Sequence, residues 1–236
     1  MVSETTQKAA FWMGVRHGLP FIFLLFPFGT LFGVVGSEAG LNLFEVMSFS
    51  IVVIAGAAQF TAVAMMQDEV PTLIVLVTSL AVNLRMAMYS AALTPHLGQA
   101  PLWKRGFIAY FMVDQAFALS SVTFEERADW GLPQKLGYYF GVILPVAPVW
   151  YLATLFGALV GDAMPEALAL DFALPIVFLA LIAPALRTAA HKAAAATSII
   201  LALVFAFLPF SLGLLIAALA AMMVGARVES WLEARR

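Results

Sequence analysis

The stretch TLIVLVTSLAVNLRMAMYSAAL, residues 72–93, holds a single charge, Arg85, in a run long enough to cross a bilayer. A spanning helix needs about 20 mostly apolar residues. A guanidinium at the bilayer centre costs roughly 2.5–3.5 kcal/mol on insertion scales and more in simulations, so idle placement is disfavoured. The next apolar run, Gly106 to Phe124, poses the same question with Asp114, its one charge, near the middle. Two opposite charges in neighbouring runs point to a polar interior between helices.

Composition agrees with this reading. The chain is 63% hydrophobic and 11% charged, with mean hydropathy +0.98, whereas soluble domains carry about 25% charged residues. Further apolar runs cover Leu19–Ser37, Leu43–Met66, Leu136–Val160, Phe172–Leu186 and the long Ala193–Ala226. The last is too long for one span and has Pro209 near its centre, which favours a helix pair over one broken helix. Backbone groups in hydrocarbon must be satisfied internally, which selects helices here. The expectation is all-α: a polytopic transmembrane bundle of about 7–8 segments forming one integral membrane domain over 1–236. Short loops leave no room for a soluble domain or linker.

The net charge of −2 offers no basic face for nucleic acid and no polybasic lipid patch. The absence of cysteine excludes disulfides, thiolate catalysis and cysteine metal ligands. The first apolar run has full span length and no small-residue cleavage site, so it reads as a retained span. His17, His96 and His191 lie near run ends without metal-ligand spacing, and no zincin, nucleophile-elbow or phosphate-loop motif occurs. No cofactor or enzymatic activity is expected. Trp12, Trp103, Trp130 and Trp231 suit interfacial belts.

Basic residues mark Lys8 and Arg16, Lys104 and Arg105, Arg187 and Lys192, and Arg227, Arg235 and Arg236 as cytoplasmic. Counting every run as a crossing cannot satisfy them all. Re-entrant hairpins in the segments holding Gln59 and Pro184 would place every basic loop inside. An internal repeat points to the same kind of architecture: Thr30-Leu31-Phe32-Gly33 recurs as Thr154-Leu155-Phe156-Gly157, with Glu38 and Asp162 five residues after each glycine. Gly29, Gly33 and Ser37 match Ala153, Gly157 and Gly161, small residues at every fourth position that let helix backbones approach. Inverted repeats with interrupted helices are a common transporter plan, and the halves expected here are about 18–124 and 135–226.

Among polar residues, Gln59 follows Ala55-Gly56-Ala57-Ala58 and reads equally as an interhelical amide in a packing motif or as a substrate contact. Asn83 and Arg85 would point to different faces of one continuous helix, so an interruption near Asn83–Arg85 is expected. Arg85 and Tyr89 share a face, as Tyr110, Asp114, Ala118 and Ser121 would on the next run. Asp114 is either half of a structural ion pair with Arg85 or a proton-pathway acid.

Pro20 with Phe28-Gly29, Gly56-Ala57-Ala58-Gln59-Phe60, Asn83-Leu84-Arg85 with Tyr89, and Asp114-Gln115-Ala116-Phe117 together resemble the AzlC-type (azaleucine resistance) family of branched-chain amino-acid permeases. The resemblance covers nearly the whole chain and is strongest at Gly-Ala-x-Gln-Phe and Asn-x-Arg-x-x-x-Tyr. It implies export of leucine, isoleucine or valine across a bacterial inner membrane with a small AzlD-type subunit, and a substrate site drawn from Gln59, Asn83, Arg85 and Tyr89. Coupling would fall to Asp114 and its neighbour, where the family commonly has Asp-Glu and this chain has Gln115. A small-solute or ion channel and a non-transporting assembly subunit are the alternatives from other classes.

Overall fold

The computed structural model describes residues 6–161, 186, 188–208 and 212–234. Their regular structure is helical. The chain starts with α1 (Gln7–Gly18), a 3-10 turn at Leu19–Phe21 and α2 (Ile22–Glu38), which together form one apolar rod of 32 residues. Thr6 caps α1 through its side chain. Pro20, early in the 3-10 turn, accounts for the change in winding there, because proline removes a backbone donor. Further on come α3 (Leu43–Val52), α4 (Gly56–Gln67), α5 (Thr72–Leu97), α6 (Leu102–Tyr110), α7 (Asp114–Glu126) and α8 (Leu132–Gly161). Two helices close the described chain, α9 (Ala189–Val204) and α10 (Leu212–Glu233).

Backbone proximity divides the chain into two compact units. The larger holds Met1–Asp68 and Val75–Pro165 and contains every candidate site residue; the smaller holds Glu69–Ile74 and Glu166–Arg236. In the smaller unit α9 packs on α10, with Gly213 against the Phe205 carbonyl and Gly225 beside Ala194. The long C-terminal run is therefore a helix pair. Asp162, Pro184, Arg187, Pro209, Arg235, Arg236 and the run Phe172–Ala185 lie outside the described residues.

The larger unit is organised around α1–α2 and α8. Gly137 and Gly141 of α8 lie against Gln7 and Phe11, Gly29 and Gly33 lie against Ala153 and Thr154, and Gly161 lies against Val34. Contacts that advance together along both helices mean that the rods run side by side in the same direction. A Cβ on Gly33 would meet the Thr154 carbonyl and, at 2.5 Å, the Ala158 nitrogen, and one on Gly157 would meet the Thr30 carbonyl. Only glycine allows this approach, which is what the every-fourth-residue ridge signalled. The two Thr-Leu-Phe-Gly copies thus lie on helices of like sense, so this motif pair does not itself carry an inversion.

The runs Leu43–Met66 and Gly106–Phe124 are not single spans. Each is a pair of short helices around a break. In the first, Val53 and Ala55 leave helical geometry, with φ −128° and −149°. The β-branched run Val52-Val53-Ile54 before Gly56 disfavours continued helix. A straight helix would separate Ser50 from Gln59 by about 13 Å of rise, yet the Gln59 Nε2 group donates to Ser50 Oγ at 3.3 Å. Phe32 meets both Phe49 and Phe60. The chain therefore doubles back, as the re-entrant reading of the Gln59 segment expects.

The second pair was not foreseen. Ile108 of α6 and Met112 just beyond its end line one cavity with Ser90 and Leu97 of α5, while α7 tracks α5 from Asp114 beside Arg85 to Phe124 beside His96. So α6 rises along the end of α5, the chain breaks at Phe111–Val113, and α7 descends again. A long helix followed by a doubled-back pair occurs twice, in opposite sense, over 7–67 and 72–126.

The expected interruption of α5 is absent: Thr72–Leu97 is one continuous helix of 26 residues. Leu80, Leu84 and Met88 are 67%, 60% and 66% exposed and mark its outer strip. Asn83 and Arg85 flank Leu84 at about 100° to either side, and both are half-buried. Neither polar residue is forced onto the outermost face, so no break is needed.

Candidate functional site

The site forms where the α6–α7 break meets the middle of α5. Arg85 lies halfway along α5 and reaches Asp114, the first residue of α7. Arg85 Nη2 stands 3.3 Å from Asp114 Oδ2, and the Tyr89 hydroxyl donates to Asp114 Oδ1 at 2.9 Å. The Tyr89 ring stacks on Phe117 one turn into α7, with centroids 4.0 Å apart. An acid at a helix N-terminus is stabilised by unpaired amides there. Asp114 thus has three sources of positive potential: a guanidinium, a hydroxyl and a helix end.

The pair is not sealed. The Arg85 and Asp114 side chains are 27% and 46% exposed, and Arg85 Nε is buried without a hydrogen-bond partner among the described residues. Arg85 touches Asp114 end-on through one nitrogen, leaving donor capacity. Charges open to hydrocarbon are strongly disfavoured, so the open side of this pair must face water or protein.

Of the other expected site residues, Asn83 lies off the Arg85 face, its Oδ1 buried and unpartnered among the described residues, as is Ser79 Oγ one turn earlier. Gln115 follows Asp114 in the first turn of α7 and is half-buried. Gln59 belongs to a different cluster, with Ser50 and Thr154. Tyr110 does not share a helical face with Asp114, because the break at Phe111–Val113 lies between them. Its hydroxyl instead donates to the Ile51 carbonyl at 2.6 Å and lies 2.9 Å from the Tyr151 hydroxyl. The tips of the two doubled-back pairs are therefore hydrogen-bonded to each other.

Sequence reading missed Tyr139, whose buried hydroxyl donates to the Ile108 and Phe111 carbonyls at 2.8 and 3.0 Å and so holds the end of α6 at the break. It also missed Ser50. A lone tyrosine or serine in an apolar run carries no signal until its neighbours are known. A cavity of about 330 Å³ lies between the end of α5 and α6, lined by Ser90, Thr94, Arg105 and Met112 among others. Ser90, in its lining, follows Tyr89 in the chain. No group of His, Asp and Glu that could hold a metal ion occurs among the described residues.

Comparisons with known proteins identify the family. The AzlC protein family matches residues 20–164. The chain belongs to the AzlC family. Its relatives include the inner membrane protein YgaZ of Escherichia coli, 25% identical over 190 residues that cover 76% of each chain. An uncharacterized membrane protein of Archaeoglobus fulgidus is 29% identical over 220 residues, 91% of this chain and 94% of that one. One from Helicobacter pylori is 25% identical over 166 residues, 70% and 71% of the two chains. No solved structure matches. With four described helices long and apolar enough to span, the AzlC-family chain is a multi-pass protein of the cell membrane, the inner one where there are two.

Proposed function

We propose that this AzlC-family protein exports branched-chain amino acids and binds them at Arg85, Tyr89 and Asp114. The observation that carries the reading is the half-open Arg85–Asp114 pair at the break between α6 and α7, with guanidinium donors to spare. An amino-acid zwitterion needs a cation for its carboxylate, an acceptor for its ammonium and an apolar pocket for its side chain. Arg85 and Asp114 supply the first two, and Phe117 and the apolar helix faces the third. Gln115 follows Asp114 in the first turn of α7, while Asn83 on the other flank of α5 contributes from outside the pair. Gln59, on the opposing doubled-back pair, adds polarity near the other tip. The cavity by Arg105 has the volume of a small-ligand site and serves as the cytoplasmic approach.

A carboxylate arriving at Arg85 competes with Asp114 for the guanidinium. The displaced Asp114 then accepts the ammonium group or a proton, which links binding to protonation and export to the proton gradient. A small AzlD-type membrane subunit, implied by the family, completes the transporter.

The test is counterflow in liposomes holding purified protein, with and without the small subunit, using labelled leucine, isoleucine and valine against glutamate and lysine. Saturable leucine counterflow that responds to an imposed pH gradient is expected. Flux without saturation or counterflow would indicate a channel instead, and no flux under any condition would leave an assembly subunit.

A further inference from the structure

We propose that the reversal between α3 and α4 holds a monovalent cation, sodium by preference, on oxygens of Ser50, Gln59 and Thr154. This goes beyond the transport reading and does not depend on it. The three side chains come from α3, α4 and α8 and are 0%, 1% and 0% exposed. Ser50 Oγ lies 3.0 Å from Thr154 Oγ1 and accepts from Gln59 Nε2 at 3.3 Å. Gln59 Oε1 is left buried with no hydrogen-bond donor among the described residues. A buried acceptor without a partner calls for a positive group or a water.

The backbone adds to the negative potential. Helix α3 ends at Val52, two residues beyond Ser50, and a helix C-terminus carries a partial negative charge and unpaired carbonyls. The Phe49 carbonyl takes the Val53 amide and the Ile51 carbonyl takes the Tyr110 hydroxyl, while those of Ser50 and Val52 receive no backbone donor among the described residues. The side-chain oxygens of the cluster and the carbonyls at this helix end are all hard and neutral, with no carboxylate among them. Divalent ions demand carboxylates, whereas unwound carbonyls at half-helix ends suit a monovalent ion.

Enclosure argues against the ammonium of an amino acid as the occupant. A Cβ on Gly56 would come within 2.7 Å of Phe28 and 2.9 Å of Trp150, so the walls beside the break are already in contact. Ser50, Gln59 and Thr154 are themselves sealed from the surface, which disfavours a ligand with a carbon skeleton.

The experiment compares thermal melting of the purified full chain in sodium, potassium and choline chloride at equal ionic strength, alongside saturation binding of radiolabelled sodium. Sodium should raise the melting temperature by several degrees, saturably, as a ligand of the folded state does. Thr154→Val and Gln59→Leu should abolish that rise while melting as wild type does in choline. Gln59→Glu, which adds a charge to the oxygen set, should tighten sodium binding about tenfold. Equal melting in all three salts with no saturable sodium binding to wild type would overturn the proposal and leave water as the partner of Gln59. So would a sodium effect that survives both Thr154→Val and Gln59→Leu. Should those variants fail to fold, the wild-type sodium isotherm decides alone. Sodium binding without amino-acid counterflow would remove the transport reading only; counterflow without sodium binding would remove this one only.

Discussion

At Arg85 the question is whether the guanidinium serves a ligand or only its neighbour. A hydrogen bond to a charged group contributes about 1.5–3 kcal/mol, so Arg85→Gln should weaken leucine binding roughly 10- to 100-fold in a binding assay on purified protein. Asp114→Asn keeps a hydrogen-bond partner for Tyr89 but cannot hold a negative charge. It should therefore retain leucine exchange while losing accumulation driven by a pH gradient. A scaffold pair behaves otherwise: each single variant folds poorly and the double variant recovers both yield and gradient response. Gly33 tests packing separately, because a side chain there meets the Thr154 carbonyl and the Ala158 nitrogen. Overpacking costs about 1–3 kcal/mol or more. Gly33→Leu should lower yield and melting temperature with substrate preference unchanged in the surviving protein, and normal yield would contradict the contact.

Two helix pairs reverse direction, and a reversal inside a bilayer has a measurable signature. If α3–α4 doubles back, cysteines placed at Leu41 and Asp68 react with an impermeant thiol reagent from the same side. If α6–α7 does so, cysteines at Gln99 and Ala128 react together from the other side. A pair labelled from opposite sides would show a full crossing. Helix α5 is continuous, so a cysteine scan from Val82 to Tyr89 should show a period near 3.6 residues, with Leu84 and Met88 on the protected strip. Tyr110 joins the two reversals through the Ile51 carbonyl. One neutral hydrogen bond is worth about 0.5–1.5 kcal/mol, so Tyr110→Phe should cost little stability yet change the rate of counterflow if the tips separate during transport.

Across the larger unit the reversals resolve the charge distribution. With α1–α2 and α8 parallel and α5 running in the opposite sense, Lys8, Arg16, Lys104, Arg105, Arg127 and Lys135 fall on one side, while Glu45 and Asp68 fall on the other. That is the cytoplasmic bias expected of membrane proteins. Reporter fusions at the N-terminus and at Ala128 should both read cytoplasmic, and an insertion at Asp68 should read external; any other combination contradicts the reversals. The basic residues flagged the problem in the sequence, and the Gln59 segment was named as one reversal. The α6–α7 reversal was not, because Gly106–Phe124 has the length and apolarity of an ordinary span.

Helical class, membrane residence, the glycine ridges and the isolation of Arg85 and Asp114 as lone charges in apolar runs followed from the sequence, because each rests on composition or on spacing along a single helix. Hydrocarbon permits few backbone solutions and penalises lone charges, so such features are legible one segment at a time. Which groups meet was decided only by tertiary structure. Asp114 begins a helix because the chain breaks at Val113, and Ser50, Gln59 and Thr154 converge from three helices. Asn83 and Arg85 share a continuous helix because its outer strip is narrow enough for both to sit beside it. Those outcomes depend on the packing of elements far apart in the chain, for which hydropathy along one segment has no term.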